Sequence, residues 1–173
     1  MSLGTRVAAA SRFVAEAMTS FAAPLERRGW IRTMSPELRA AFTSELATAE
    51  AAFARGDEDA AMHHYGRGHM LGSYFCFSHL LCHTGMLRVG LRRGDWREVR
   101  VQGLRAIGTI GTRALVPFFG VTGNPGSADR PVGSRYELPP DVAALLARQS
   151  LPVWGPAKRA PLATVAVDAG AGE

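Results

Sequence analysis

The sequence contains little lysine, little cysteine and no long apolar run. Lys158 is the single lysine, so arginine carries most of the positive charge behind the net charge of +5. The two cysteines, Cys76 and Cys82, lie six residues apart, which places them on different sides of a helix and argues against a disulfide between them. No stretch reaches the roughly eighteen uninterrupted apolar residues of a membrane span. The nearest, residues 101–123, is interrupted by two arginines.

The N-terminus also lacks the apolar core of a secretory signal peptide, and we therefore expect a soluble, cytoplasmic protein. The 173 residues are 47% hydrophobic and 20% charged, the composition of a globular protein with one main domain. Arginines cluster between residues 88 and 100, where Trp96 is the one aromatic residue among them. That pattern is usual for a solvated helix face and does not favour nucleic-acid binding.

Apolar residues recur at spacings of three and four, which predicts amphipathic helices, and no strand pattern is evident. Ser35, Asp57 and Asp95 are predicted N-caps, and Gly56 is a predicted helix stop. The predicted helices are 5–28, 36–55, 58–71, 74–93, 96 to a point before Pro117, and 140–149. The sequence therefore predicts an all-α fold: an antiparallel bundle of four to five helices with a C-terminal extended segment and a short helix.

Composition divides the chain into three parts. Residues 1–34 are predicted to form an N-terminal helical extension, and residues 35–149 a helical domain that carries a metal site. Residues 150–173 are rich in Pro, Ala and Gly and are predicted to be a disordered tail.

All five histidines and both cysteines fall between residues 63 and 83, and helical geometry selects among them. His79 and His83 are four residues apart and share one helix face, which Cys76 joins from three residues earlier. A turn near Gly72 folds the preceding helix back, so that His69 faces them at a similar height. The prediction is one site formed by His69, His79 and His83.

The fourth ligand stays open at this point. Cys76 is a candidate, and Glu45 or Glu50 of the predicted helix 36–55 could supply a carboxylate as a ligand or as a residue that orients one. Three histidines and a water would make an open, reactive site, whereas Cys76 would close it into a structural or sequestering one. The donors suit a divalent transition metal, with zinc favoured and iron or copper as alternatives.

Other interpretations compete with a metal site. Histidines on an apolar helix often serve as hydrogen-bonded core residues, and a haem or redox role also fits. Cys76, between Phe75 and Phe77, is more often a small buried hydrophobe than a ligand. Residues 49–65 match one helical hairpin of the tetratricopeptide kind, although no second copy follows. The alternative function is therefore a helical protein-interaction module with structural histidines and a protein partner.

Residues 45–148 resemble a bacterial family known as domain of unknown function 3703. The residues that carry the resemblance are Glu45-Leu46, Gly56-Asp57, HYGRGHMLG at 64–72, HLLCHTGML at 79–87, Gln102 with Arg105, GNPG at 123–126 and LPPD at 138–141.

The resemblance implies that histidines recur at the positions of His69, His79 and His83, which supports their selection by geometry. It lowers Cys76 and Cys82 as ligands because no cysteine recurs there. The chain departs from the family pattern at Ser73, where Gln is usual, and at Thr84, where an aromatic residue is usual. The family implies no activity, so enzyme, metal-handling and interaction roles all stay open.

Overall fold

The computed structural model describes residues 33–112 and 123–149, and within them it contains five helices and no strand. The helices are α1 (Pro36–Arg55), α2 (Glu58–Gly72), α3 (Cys76–Arg93), α4 (Trp96–Thr112) and α5 (Pro140–Arg148). The all-α prediction is confirmed. The predicted helix at 5–28 and the predicted disordered tail lie outside the described residues.

The helix ends follow from local chemistry, as the capping residues predict. The side chain of Ser35 accepts a hydrogen bond from the Leu38 amide at the start of α1, and Asp57 does the same for Ala60 at the start of α2. Gly56 ends α1 with φ +85°, a left-handed conformation that glycine adopts without a Cβ penalty. Each cap satisfies backbone groups that a helix end leaves without partners.

The boundary between α2 and α3 differs from the prediction by two residues. Gly72 is still helical, and α3 begins at Cys76 rather than at residue 74. Phe75 is extended, with φ −120° and ψ 104°, and its amide donates to the Gly72 carbonyl. The turn therefore uses Ser73, Tyr74 and Phe75, two of which are buried aromatic residues that hold the connection against the bundle.

Successive helices pack against each other: α1 on α2, α2 on α3 and α3 on α4, while α5 packs on α1 and α2. One core cluster includes Leu38, Leu71 and Val142, which joins α5 to the bundle. A second includes Phe53, Tyr65 and Met86, between α1, α2 and α3. Among the described helices, none combines the length and apolarity needed to cross a membrane.

The arginines of the 88–100 cluster are mostly ion-paired rather than a free basic face. Arg88 binds the carboxylate of Glu50 across α1 and α3, and Arg92 binds Glu58 at 2.8 Å. Arg93 also contacts Glu58. The pairs of Arg92 and Arg93 fasten the end of α3 to the start of α2, and that of Arg88 fastens α3 to α1, so the basic charge of the cluster is partly neutralised.

Gly85 allows α2 and α3 to approach closely. A Cβ atom at Gly85 would overlap the ring of Tyr65, which is fully buried and whose hydroxyl donates to Glu50 at 2.7 Å. The close approach brings the last turns of α2 next to the first turns of α3, where the predicted site lies.

Candidate metal centre

Three histidines meet where α2 and α3 pack. His69 lies in the last turn of α2, and His79 and His83 lie one turn apart in α3. The ring centroids are 4.4 Å apart for His69 and His79, 4.9 Å for His69 and His83, and 4.7 Å for His79 and His83. One ligand nitrogen from each ring lies within 4.8 Å of the other two. The predicted convergence of the three side chains is confirmed.

The three rings lie in a poorly solvated environment that keeps them neutral. His83 and His69 are buried, at 2% and 8% exposure, and His79 is partly buried. Burial lowers the pKa of His83 to about 4. Burial and the neighbouring charge of His83 lower the pKa of His79 to about 3, and burial puts the pKa of His69 well below its usual range. Neutral imidazoles carry a lone pair, as metal ligands must.

Gln102 of α4 determines which nitrogen of His83 carries the proton. Its amide nitrogen donates to the Glu98 carboxylate at 2.6 Å and to the Gly126 carbonyl at 2.7 Å. Because both partners are acceptors, the amide oxygen must be the atom that lies 2.6 Å from His83 Nδ1. His83 Nδ1 therefore donates, and the lone pair is left on Nε2.

The other two rings are held in a similar way. His69 Nδ1 donates to the Asn124 carbonyl at 3.0 Å, and a ring nitrogen of His79 hydrogen-bonds the backbone of Ser73. The Nε2 atoms of His79 and His83 face each other at 2.9 Å, so we infer that His79 uses Nδ1 toward Ser73. Each ring then has its proton directed outward and its Nε2 lone pair directed into the cluster.

A short segment covers the cluster from the side of α4. We call residues 123–127 the strap. The Asn124 carbonyl accepts from His69, and the Asn124 side chain accepts from the amide of Gly126. Gly126 has φ +87°, and a Cβ there would lie 3.0 Å from His69 Cδ2. The strap thus fixes the ring of His69 directly and that of His83 through Gln102.

Arg105 holds the strap on α4. Its guanidinium donates to the backbone carbonyls of Gly126, Ser127 and Arg130. Burial lowers its pKa from the usual value, and its charge contributes to the lowered pKa of all three histidines. A positive charge therefore lies within electrostatic reach of the cluster.

The contacts of Gln102, Arg105 and the strap form an outer layer around the three histidines, and the sequence analysis did not predict them. The family resemblance contained the signal, because Gln102, Arg105 and the GNPG motif at 123–126 all belong to its ordered set. Their role in orienting the histidines depends on contacts that no local pattern encodes.

The other candidate ligands lie elsewhere in the described structure. Cys76 Sγ contacts the Thr109 carbonyl at 4.0 Å. Glu45 binds His64 at 2.8 Å and Arg67 at 2.6 Å. Glu50 binds Tyr65 and Arg88. Among the described residues, the donor group that could hold an ion consists of the three histidines, so the structure does not bring Cys76, Glu45 or Glu50 into it.

The fold and the cluster define a class of all-α bundle with three histidines converging between two adjacent helices. The chain belongs to the family described as "Protein of unknown function (DUF3703)", whose model matches residues 36–146. This confirms the resemblance inferred from the motifs. No curated protein and no solved structure matches the chain significantly. Evidence for function therefore comes from the geometry of the site.

Proposed function

We propose that His69, His79 and His83 bind a divalent transition-metal ion through their Nε2 atoms, with zinc favoured. The observation that carries the proposal is the 2.9 Å separation between the Nε2 atoms of His79 and His83. With both Nδ1 protons committed to outer acceptors, two lone pairs face each other at hydrogen-bond distance without a proton between them. A cation at this point replaces that repulsion with two coordinate bonds.

The spacing of the nitrogens supports the same ion. Zinc–nitrogen bonds of about 2.0–2.1 Å at a tetrahedral angle place two ligand nitrogens roughly 3.3–3.4 Å apart. That value lies between the 2.9 Å of the His79–His83 pair and the 4.8 Å upper limit for the whole group. Small ring movements are enough to seat the ion. Hydrogen bonds from each Nδ1 to a backbone or amide oxygen are the usual outer layer of metal-bound histidine.

We further propose that the fourth position is open to exchangeable ligands. All histidines and cysteines of the chain lie between residues 63 and 83, within the described part, and only three of them converge. Residues 113–122, next to the strap in sequence, contain no histidine, cysteine, aspartate or glutamate. Three neutral ligands with an open position fit small-molecule chemistry or metal transfer better than permanent sequestration.

The alternative function, an interaction module with structural histidines, requires a different placement of the protons on the ring nitrogens. A structural histidine pair places a donor opposite an acceptor, because an unmatched buried polar group costs about 1–3 kcal/mol. Here Gln102 and the Asn124 carbonyl take the protons of His83 and His69 away from the cluster. The outer layer thus favours a metal over a hydrogen-bonded core, and a partner-binding role stays a separate prediction.

Metal content tests the proposal. The protein, purified without a histidine tag and loaded with zinc, is expected to hold near-stoichiometric metal by inductively coupled plasma mass spectrometry. His79→Ala and His83→Ala each remove one of three ligands and are expected to lose most of it. His63→Ala is the matched control. His63 is an exposed histidine in the same stretch of sequence, residues 63–83, but it is not one of the three converging donors.

The loading is repeated with iron(II), copper(II) and nickel(II), and circular dichroism checks that each variant is folded. Wild-type protein without metal above background for every ion would refute the site. Equal loss of metal in His63→Ala and in His83→Ala would also refute it, because the metal would then be held nonspecifically by surface imidazoles.

A further inference from the structure

Arg105 carries a positive charge, and in the described structure its guanidinium makes no direct contact with a carboxylate. The hydrogen bonds of its guanidinium go to the neutral carbonyls of Gly126, Ser127 and Arg130. Its Nε is buried and has no hydrogen-bond partner. A buried donor of this kind is costly, and more so when it belongs to a charged group.

The contrast with Arg88 shows how unusual this is within the bundle. Arg88 also has a buried Nε without a partner, but its two terminal nitrogens bind both oxygens of the Glu50 carboxylate. Two carboxylates act on Arg105 through space, the buried Glu98 and the exposed Asp129. The two oxygens of Glu98 are already taken by the Gln102 amide and the Ala128 backbone amide.

Arg105 is also connected to the histidine cluster. The Gly126 carbonyl that accepts from its guanidinium belongs to the residue that packs against the ring of His69. The same carbonyl accepts from Gln102, which orients His83. The guanidinium is thus linked to His69 through Gly126, and to His83 through Gly126 and Gln102.

With a divalent metal ion bound, the site would carry an excess of positive charge. Three neutral imidazoles leave the charge of a divalent ion uncompensated, and Arg105 adds to it, whereas Glu98 is the buried carboxylate nearby. Excess positive charge in a poorly solvated place is unfavourable unless an anion enters. A metal with three protein ligands offers that anion a coordination position.

We propose that the open position of the metal takes a small anion, with Arg105 as its charge partner. The ligand class is a small carboxylate or inorganic anion with one donor atom for the metal. This inference depends on the proposed metal site, because without the ion the anion has no coordination partner.

Cobalt(II) makes the binding visible, since its absorption in the visible range responds to each change of ligand. The full-length protein is loaded with cobalt(II) and titrated at constant ionic strength with azide, with acetate, and with neutral imidazole. Saturable spectral changes are expected with azide and acetate, and azide is expected to bind more tightly than imidazole. Failure of cobalt(II) to bind, together with no zinc, iron(II), copper(II) or nickel(II) above background, would refute the metal site itself, whereas bound cobalt without any response to anions would refute only this inference.

Variants of two arginines separate charge from structure. Arg105→Met removes the charge and is expected to weaken azide binding at least about tenfold while imidazole binding stays within about twofold. Arg105→Lys keeps the charge and is expected to retain most of the azide affinity. Arg97→Met is the matched control, because Arg97 also lies on α4 and also donates to a backbone carbonyl, that of Ala128, but it is exposed.

Three results would overturn the role of Arg105. The first is equal azide affinity in Arg105→Met and Arg97→Met. The second is a parallel loss of azide and imidazole binding in Arg105→Met, which would indicate a displaced strap. The third needs no variant: wild-type protein that binds azide no more tightly than imidazole lacks the required anion preference. If Arg105→Met does not fold, the azide affinity of Arg105→Lys and the preference of the wild-type protein for azide over imidazole still test the role of Arg105.

Discussion

Gly126 contributes a backbone carbonyl to the site, and its lack of a side chain leaves room there for a neighbouring ring. Its carbonyl accepts from Gln102 and Arg105, and its missing side chain leaves room for the ring of His69. Its φ of +87° is a left-handed value that side chains with a Cβ rarely adopt. Conformation and space therefore both demand glycine here, for different reasons.

Gly126→Ala is predicted to weaken zinc binding by about ten- to hundredfold. The new methyl group would lie 3.0–3.1 Å from three atoms of the His69 ring and would move that ring or the strap. Competition with a chromophoric zinc chelator measures the change in affinity. The left-handed backbone adds a loss of stability of about 1–2 kcal/mol, whatever happens at the metal.

Gly133→Ala is the control for the backbone effect alone. Gly133 has φ +80°, but a Cβ there meets nothing within 4 Å. We expect the same loss of stability, measured by urea denaturation, with zinc affinity unchanged. If both variants lose zinc affinity equally, the backbone conformation of the loop rather than contact with His69 governs binding.

At the scale of the helices, the pairing of α2 with α3 creates the site. Tyr65 lies directly against the backbone of α3 at Gly85, and it is among the largest fully buried side chains of the described structure. His69 lies one turn after Tyr65, and His83 lies two residues before Gly85. The contact that sets the distance between the helices therefore also sets the distance between the histidines.

Gly85→Ala is predicted to lower the free energy of unfolding by about 1–3 kcal/mol or more. The added Cβ would overlap the rigid ring of Tyr65, so the helices must separate, and zinc affinity is expected to fall as well. Urea denaturation and the chelator competition measure the two effects.

Gly103→Ala tests the same change in a helix with room for it. A Cβ at Gly103 meets only Leu87 Cδ1, at 3.8 Å, which is an ordinary contact. Because alanine favours a helix interior over glycine, we expect a gain of about 0.5–1 kcal/mol. A gain of similar size in Gly85→Ala would contradict the close packing of α2 on α3.

The helices and the three histidines were predictable because their causes are local. Ser35, Asp57 and Gly56 act within one turn of the chain, so their residue types suffice to place helix ends. His79 and His83 share a face through the helical repeat alone. His69 was predictable because a short turn fixes how α3 folds back on α2.

The outer layer and the fourth position were not predictable in this way. His69 meets the Asn124 carbonyl across 55 residues of sequence, and nothing near His69 indicates which carbonyl arrives there. Cys76 shares the face of His79 only approximately, since an offset of three residues turns it by about 60°. That rotation is enough to place its thiol against Thr109 of α4 and away from the cluster.

For the molecule as a whole, the histidine cluster makes the metal-free protein sensitive to acid. The folded pKa values are about 3 for His79 and about 4 for His83, and that of His69 is also lowered. In the unfolded chain a histidine has a pKa near 6.5. Below that value the unfolded chain binds more protons, so stability is complete above about pH 6.5 and falls as the pH drops toward 4.

The metal-free protein is therefore predicted to lose about 1.4 kcal/mol per pH unit for each of the two buried rings, His69 and His83, below about pH 6. Urea denaturation with a chelator present, at pH 7.5, 6.5 and 5.5, measures the slope. Carboxylates contribute little in this window, because their unfolded pKa values lie near 4.

His83→Gln is expected to reduce the slope, since glutamine does not titrate. His63→Gln is the matched control and is expected to keep it, because His63 is exposed. Stability independent of pH between 7.5 and 5.5 in the wild-type protein would mean that the rings titrate normally, contrary to their burial.

The strap has a consequence for when, during synthesis, the proposed metal site is completed. A nascent chain that ends after α4 already contains all three imidazoles, but it lacks the Asn124 and Gly126 carbonyls that accept from His69 and Gln102. Contacts that span 55 and 24 residues close late, after the local helical hairpins. Until then the imidazole protons are free to occupy either nitrogen. The oriented set of Nε2 lone pairs that we propose as the metal ligands is therefore complete only in a chain that includes the strap.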